Sequence, residues 1–358
     1  MTRSKPFPIF FSKAPTRVGA FLFCIFAQKV ILLITSADIF QIASKKEFEK
    51  TTLKVFRHQF DNNSVYRDFC TLLKKDKTNV KQLLDIPFLP IQFFKSHEVV
   101  SSTDPVQTIF TSSGTTGMST SRHLVTDLQY YEESFQLGFS QFYGNIEDYV
   151  VLALLPSYLE REGSSLIYMV EDLIQRSNQP DSGFYLNNYD ELIAKLIKLD
   201  NEGQNIILIG VTYALLDLIE MQSFALKNTI IMETGGMKGR RKEIIREELH
   251  AILAKGFGVS KIHSEYGMTE LLSQAYSLGD GIFECPPWMD ILIRDTEDAL
   301  SYIETGKTGG INVIDLANIN SCSFIATQDL GKKYSNHSFE VLGRFDNSDI
   351  RGCNLMVL

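Results

Sequence analysis

The chain has 358 residues, 44% of them hydrophobic and 22% charged, with a formal net charge of −8. That composition supplies material for a large core, and an acidic balance without a Lys/Arg run points away from nucleic acid and toward small-molecule or protein partners. The five cysteines (Cys24, Cys70, Cys285, Cys322 and Cys353) are odd in number, widely spaced and never in a Cys-x-x-Cys pair, which argues against a disulfide or metal framework and for reduced thiols in the cytoplasm.

The N-terminus is basic (Arg3, Lys5, Lys13, Arg17) and then apolar over residues 18–26. This layout mimics a signal peptide, but the apolar run is too short and too broken for a membrane-spanning helix. Three readings compete: a cleaved signal, a membrane anchor, and an extension outside the fold. The third is the expectation here, with residues 1–36 outside and 37–358 folded.

Residues 45–82 place Phe48, Leu53, Val55, Phe56 and Phe60 at helical spacing. Pro87 and Pro90 then mark a turn-rich entry to a sheet. A strand is predicted over 108–111, a helix over 128–142 capped by Asp127, and a buried strand over 149–155 ended by Pro156. Helix 164–175, strand 205–210, helix 212–221, strand 229–233 and helix 241–255 follow, and residues 261–263 form a further strand. Alternation of this kind implies a largely parallel α/β body to about residue 280, with ligands held in loops beyond the carboxyl ends of strands. From 281 to 358 the pattern changes to short strands at 290–294, 310–314, 323–326 and 338–342, a smaller β-rich portion.

The densest signal is the run Ser112, Ser113, Gly114, Thr115, Thr116, Gly117. Its glycines permit positive φ and close backbone approach, and its N–H groups and hydroxyls can form an anion-binding nest. Read alone, the run also describes a flexible surface loop, and it lacks the Gly-Lys-Ser/Thr ending of a Walker A loop. Downstream stand Gly235-Gly236, then Ser264 to Glu270 (Ser-Glu-Tyr-Gly-Met-Thr-Glu), Thr327 to Gly331 (Thr-Gln-Asp-Leu-Gly), and Gly343 to Asp346 (Gly-Arg-Phe-Asp).

In this order the segments resemble the core motifs of the adenylate-forming superfamily, and within it the acyl-protein synthetase family, the fatty-acid-activating component of luminescence fatty-acid reductases. The resemblance runs from about residue 40 to the C-terminus. Pro156 to Ser165, Cys285 to Met289, and Arg351-Gly352-Cys353 point to that branch. It implies the large domain of an adenylate-forming enzyme, with parallel and mixed sheets flanked by helices. The family's usual C-terminal domain, with its catalytic lysine, has no counterpart before the chain ends at Leu358. It further implies ATP and Mg²⁺ as cofactors, a carboxylic or fatty acid as substrate, and an acyl-acceptor protein or CoA as partner. Stable membrane insertion is not expected. Export would remove such an enzyme from its ATP.

The chemistry joins two anions, a carboxylate and the α-phosphate of ATP, so the site needs donors and a cation. By resemblance, residues 112–117 wrap phosphate, Gly235, Gly236, Tyr266 and Gly267 flank adenine, and Asp329 meets the ribose hydroxyls. Arg344 contacts phosphate or ribose, Thr269 contacts phosphate, and Glu270 meets Mg²⁺. The Pro-Lys that often follows the phosphate loop is missing; Arg122 or His123 is expected to supply the positive charge instead. Gln328 replaces the usual glycine before Asp329. Without the motif, Glu270 reads as a helix-start residue and Arg344 as a surface ion-pair partner. Tyr158, Arg161 and Ser164 are candidates for the acyl pocket. Cys353 corresponds to the family's acylated cysteine, beside Arg351, which could lower its pKa, and Gly352, which gives mobility. A CoA ligase of phenylacetate type, and an idle nucleotide-binding scaffold, are the alternatives.

Overall fold

A computed structural model describes residues 34–112, 120–156, 163–186, 188–235 and 244–345. The first elements are helical: α1 (Ser36–Phe40), α2 (Lys45–Asn62) and α3 (Ser64–Leu72). Each begins on a polar cap. Thr35 Oγ1 accepts from Asp38 N–H while Asp38 returns the bond to Thr35 N–H at 3.0 Å, Ser44 and Glu47 form the same reciprocal pair, and Asn63 accepts from Tyr66 N–H. Because Thr35 caps α1 and Ile34 is buried, the folded part starts by Ile34, inside the boundary expected at residue 36. Phe48, Val55 and Phe56 bury one stripe of α2.

Strand β1 (Leu89–Pro90) and the short α4 (Phe93–Ser96) lead to β2 (Thr108–Thr111) and β3 (Arg122–Val125). Next come α5 (Gln129–Tyr143), β4 (Val150–Leu154), α6 (Ser165–Ser177), β5 (Gly183–Phe184), α7 (Tyr189–Asn201), β6 (Ile206–Val211), α8 (Thr212–Met221), β7 (Thr229–Thr234), α9 (Arg246–Phe257) and β8 (His263–Tyr266). The strands β9 (Ala275–Ser277), β10 (Ile282–Glu284), β11 (Met289–Arg294), β12 (Thr308–Asp315), β13 (Phe324–Lys333) and β14 (Phe339–Arg344) complete the chain's described elements.

One sheet carries most of these strands, in the order β11-β12-β13-β14-β10-β9-β8-β7-β6-β4-β5, with β1 alongside β13. From β5 to β8 the pairing is parallel; from β8 through β9 to β11 it is antiparallel. All residues of β4 and β6 are buried, as their unbroken apolar sequences require of strands covered on both faces. The predicted α/β architecture is present, and the late strands extend the same sheet edge to edge.

Two local readings are corrected. Residues 108–111 do not join the parallel sheet: β2 pairs antiparallel with β3. The strand near 263 runs through His263–Tyr266, so Ser264, Glu265 and Tyr266 lie within it instead of after it. Among the described residues no helix is long and apolar enough to cross a membrane.

Candidate active site

Of the predicted site residues, Ser113, Gly114, Thr115, Thr116, Gly117, Gly236 and Cys353 lie outside the described residues, as do Tyr158 and Arg161. The remainder lie after β2 and in β3 (Ser112, Arg122, His123), before α6 (Ser164), after β7 (Gly235), at the end of β8 and in the loop beyond it (Tyr266, Gly267, Thr269, Glu270), and on the β13–β14 hairpin (Asp329, Arg344).

Ser112 stands at the base of the glycine run. Its hydroxyl accepts from Ser121 N–H at 2.9 Å, and its own N–H donates to Ser121 carbonyl at 3.2 Å. Ser121 is buried and its side chain is hydrogen-bonded to the Glu270 carboxylate. The hairpin base and Glu270, separated by about 150 positions, are thus in contact. Residues 267–274 form a loop between β8 and β9, so Glu270 does not start a helix. Only 5% of Glu270 is exposed. Burial pushes its carboxyl pKa up, opposed by the Ser121 hydrogen bond and by the charges of Arg344 and Lys95.

The second cluster centres on Asp329. Tyr266 hydroxyl donates to Asp329 Oδ2 at 2.9 Å, and Arg344 Nε lies 3.3 Å from Oδ1. The Asp329–Arg344 pair sits directly across the β13–β14 ladder. Arg344 is the link between clusters, since its charge also acts on Glu270. Its side chain is 81% exposed. Nearby, Arg294 is buried and donates to Ile311 carbonyl, Asn312 Oδ1 and Thr327 carbonyl. It fixes the strand that carries Asp329.

Gly235 ends β7 with φ +69° and is exposed. A side chain at that φ would be strained. Its carbonyl accepts from Thr212 Oγ1 at 2.6 Å. At Gly267, a Cβ would run into Glu265 Oε1. Ser164 is buried at the start of α6, where its carbonyl accepts from Tyr168 N–H.

His123 is corrected. It lies in β3, 1% exposed, and burial pushes its pKa down to about 4 despite hydrogen bonds to Thr269 and Asn318. At neutral pH the ring is uncharged, so it does not replace the missing lysine. It is placed instead with Nδ1 2.8 Å from Thr269 carbonyl and Nε2 3.0 Å from Asn318 Oδ1. Arg122 is exposed on the neighbouring position of β3. Lys95, from α4, is a cation near Glu270 that no motif announces. Asn318 and Ser121 were equally invisible: each acts through a tertiary contact, and neither stands in a recognisable spacing.

Beside the site, Glu233 at the end of β7 accepts from Arg246 Nη1, and from Ser264 Oγ at 2.9 Å, with His250 Nε2 3.5 Å away. Burial would raise its pKa, but these partners outweigh it and the net direction is downward. Its neighbour Glu265 has less support. Thr234 Oγ1 donates to it at 2.5 Å, while burial, with Glu233 repelling, raises its pKa from the ordinary 4.5 to about 7. The unfolded chain therefore ionises Glu265 from about pH 4.5, and the folded chain only near pH 7. Stability falls as pH rises across that window, and the deficit persists above it. Glu265→Gln is expected to be more stable than wild type at pH 8, by on the order of 3 kcal/mol at most, and to lose that advantage toward pH 5. Denaturant melts at the two pH values measure this; an equal change at both would show that ionisation is not the cost.

Among the described residues the other thiols are held protonated by burial. Cys70 is pushed up to about 12 by burial, and Cys322 and Cys285 are raised further by the same cause. Cys285 lines a separate cleft of about 380 Å³ with Ile42, Phe48 and Met289.

The sequence matches the family described as Acyl-protein synthetase, LuxE, over residues 25–128 and 176–358. The chain belongs to the acyl-protein synthetase family. It is a ligase. Pro156 to Ser165, which resembled this branch, falls between the two matched segments. The acyl-protein synthetase relatives include the long-chain-fatty-acid–luciferin-component ligase of Vibrio harveyi, 22% identical over 362 residues and 91% of each chain. A ligase of the same name from Photorhabdus luminescens is 34% identical over 90 residues, 24% of this chain and 77% of the relative. The fold is shared with 2-hydroxyisobutyryl-CoA ligase in an open conformation with 2-HIB-AMP and CoA (TM-score 0.61, 11% identity, 87% of this chain and 77% of that one). It is also shared with ATP-bound MatB from Rhodopseudomonas palustris (TM-score 0.51, 18% identity, 68% of this chain). The match spans 49% of the MatB chain, about half its length.

Proposed function

We propose that this acyl-protein synthetase activates a fatty acid with ATP in the cluster around Glu270, Asp329 and Arg344, then carries the acyl group on Cys353 to an acceptor protein. The observation that supports the reading is the joining of the two clusters. The base of the glycine run meets Glu270 through Ser121, Tyr266 meets Asp329, and Arg344 acts on both carboxylates. Four motif segments, the base of the glycine run, 264–270, 327–331 and 343–346, thus supply carboxylate acceptors suited to a ribose and a cation suited to phosphate.

The fatty acid's carboxylate oxygen attacks the α-phosphorus, the bond to the bridging oxygen breaks, and pyrophosphate leaves. In the second step the Cys353 thiolate attacks the acyl carbon and AMP departs with the carboxyl oxygen, leaving a thioester. An acceptor nucleophile then takes the acyl group and returns the thiol. Residues 112–117 and Arg344 bind and orient phosphate, Asp329 holds ribose, and the Gly235, Gly236, Tyr266 and Gly267 backbone borders adenine.

Among the described residues no three His, Cys, Asp or Glu side chains form a metal cluster. Mg²⁺ does not need one, because a single carboxylate with substrate phosphates and water suffices. Glu270 fits that role: its burial disfavours a lone charge, and a cation would offset it. Bound there, Mg²⁺ would neutralise phosphate charge. Thr269, next to it, is assigned the phosphate contact. The need for ATP places the enzyme in the cytoplasm.

The decisive assay is pyrophosphate release with a panel of fatty acids, with and without CoA, followed by mass analysis of the intact protein for bound acyl groups. Acid-dependent release and an acyl adduct without CoA are expected. A CoA thioester with no adduct would favour a CoA ligase, and no release at all an idle scaffold. Asp329→Ala is expected to weaken ATP binding by about 1.5–3 kcal/mol, the range for hydrogen bonds to a charged group. Unchanged affinity in calorimetry would remove Asp329 from the ribose site.

A further inference from the structure

The loop between β8 and β9 carries Thr269 and Glu270 but has no strand or helix of its own to hold it. Its backbone groups need partners from elsewhere. On one side Asp315 supplies them: its carboxylate accepts from Leu272 N–H at 2.8 Å, Ser273 N–H at 3.0 Å and Ser273 Oγ at 2.5 Å. On the other side two carbonyls in succession are held by side chains. Asn318 Nδ2 donates to Glu270 carbonyl at 2.7 Å, and His123 Nδ1 meets Thr269 carbonyl at 2.8 Å.

These two side chains also meet each other, through Asn318 Oδ1 and His123 Nε2 at 3.0 Å. Asn318 is fully buried in the turn after β12, and its own carbonyl accepts from Gln59 Nε2 at 3.0 Å. Phe94 packs edge-on against the His123 ring, 5.7 Å between centroids. Both side chains are thereby fixed in place before they touch the loop.

We propose that His123 and Asn318 are positioning residues that set the Thr269 and Glu270 peptides and so aim the Glu270 carboxylate at the nucleotide-borne cation. The inference rests on the reading of Glu270 as the carboxylate that meets Mg²⁺. A carboxylate on a loop with no ladder or helix of its own could swing away from phosphate. Clamping the carbonyls on either side of its Cα removes that freedom, and it does so without either clamp touching the substrate. This differs from a charge role for His123: the single N–H of a neutral ring, carried on Nδ1, is enough to hold the Thr269 carbonyl.

The test measures pyrophosphate release against Mg²⁺ concentration at saturating ATP in the full chain, with the melting temperature of each variant recorded. The variants are Asn318→Ala, His123→Leu, His123→Asn and Glu270→Gln. Asn318→Ala and His123→Leu are expected to raise the Mg²⁺ concentration for half-maximal rate tenfold or more, at temperatures well below their melting points. His123→Asn retains an amide N–H near the position of the ring Nδ1 and is expected to fall between wild type and His123→Leu. Should Asn318→Ala fail to fold, the His123 pair still decides the question. A normal Mg²⁺ requirement in Asn318→Ala and His123→Leu, alongside a raised one in Glu270→Gln, would overturn the positioning role and leave the metal reading intact. A normal requirement in Glu270→Gln would overturn the metal reading and this inference with it.

Discussion

Glu270→Gln is expected to slow adenylate formation by at least about 10²-fold, the scale on which removal of one preorganised electrostatic partner acts in a desolvated site. The substitution keeps shape and the hydrogen bond to Ser121, but removes the charge. In the folded protein that charge is already disfavoured by burial and supported by Ser121, Arg344 and Lys95. The cation brought by the nucleotide would complete the support. Neutralising the carboxyl should therefore leave the fold unharmed, and the melting temperature should stay the same or rise. The combination of a lost rate with an undiminished melting temperature is what an acid-activation assay and a thermal melt should report together. A normal rate would mean that Glu270 serves only to tie the hairpin base to the β8–β9 loop.

Cys353→Ser is expected to separate the two half-reactions. Adenylate formation and pyrophosphate release should continue, because the residues assigned to them lie around Glu270 and Asp329. The hydroxylamine-labile acyl adduct should disappear, since a serine hydroxyl is far less ionised than a thiol. The remaining described cysteines are poor substitutes. Cys70, Cys285 and Cys322 all have thiols held protonated by burial. An adduct that persists on Cys353→Ser and maps to Cys285 would reassign the carrier while keeping the enzyme class. A CoA thioester formed equally by both proteins would point to a CoA ligase.

Elements with long apolar signals were legible from sequence. Helix α8 matches its predicted span at both ends, and β4, β6 and β7 fall within a residue of theirs, because an unbroken buried run needs no tertiary information to be seen. The short strands were harder. Arg122–Val125 has only four residues, and its pairing with Thr108–Thr111, not its own pattern, makes it a strand. At β8 the polar Ser264 and Glu265 disguise a buried strand, since their side chains are satisfied by Glu233 and Thr234 across the β7 pairing. For the site, Asp329, Tyr266, Arg344 and Glu270 were singled out through motif resemblance; the structure sets Tyr266 and Arg344 against Asp329, and the charge of Arg344 also acts on Glu270. The mistaken charge on His123 had a physical cause: spacing cannot reveal burial, and burial decides the protonation of an imidazole.

The buried Gln59 of α2 donates to the carbonyls of Asn318 and Ile319 and accepts from Ser323 N–H, across 259 to 264 positions. A ribosome would have released α2 long before its partners existed. Contacts of such separation make closure slow, because the intervening chain must be ordered first. The turn that holds Asn318 against Glu270 is the same turn that awaits Gln59. Assembly of the β8–β9 loop is therefore tied to a pairing between distant parts of the chain. A nascent chain arrested before residue 318 would display a parallel sheet without a competent site.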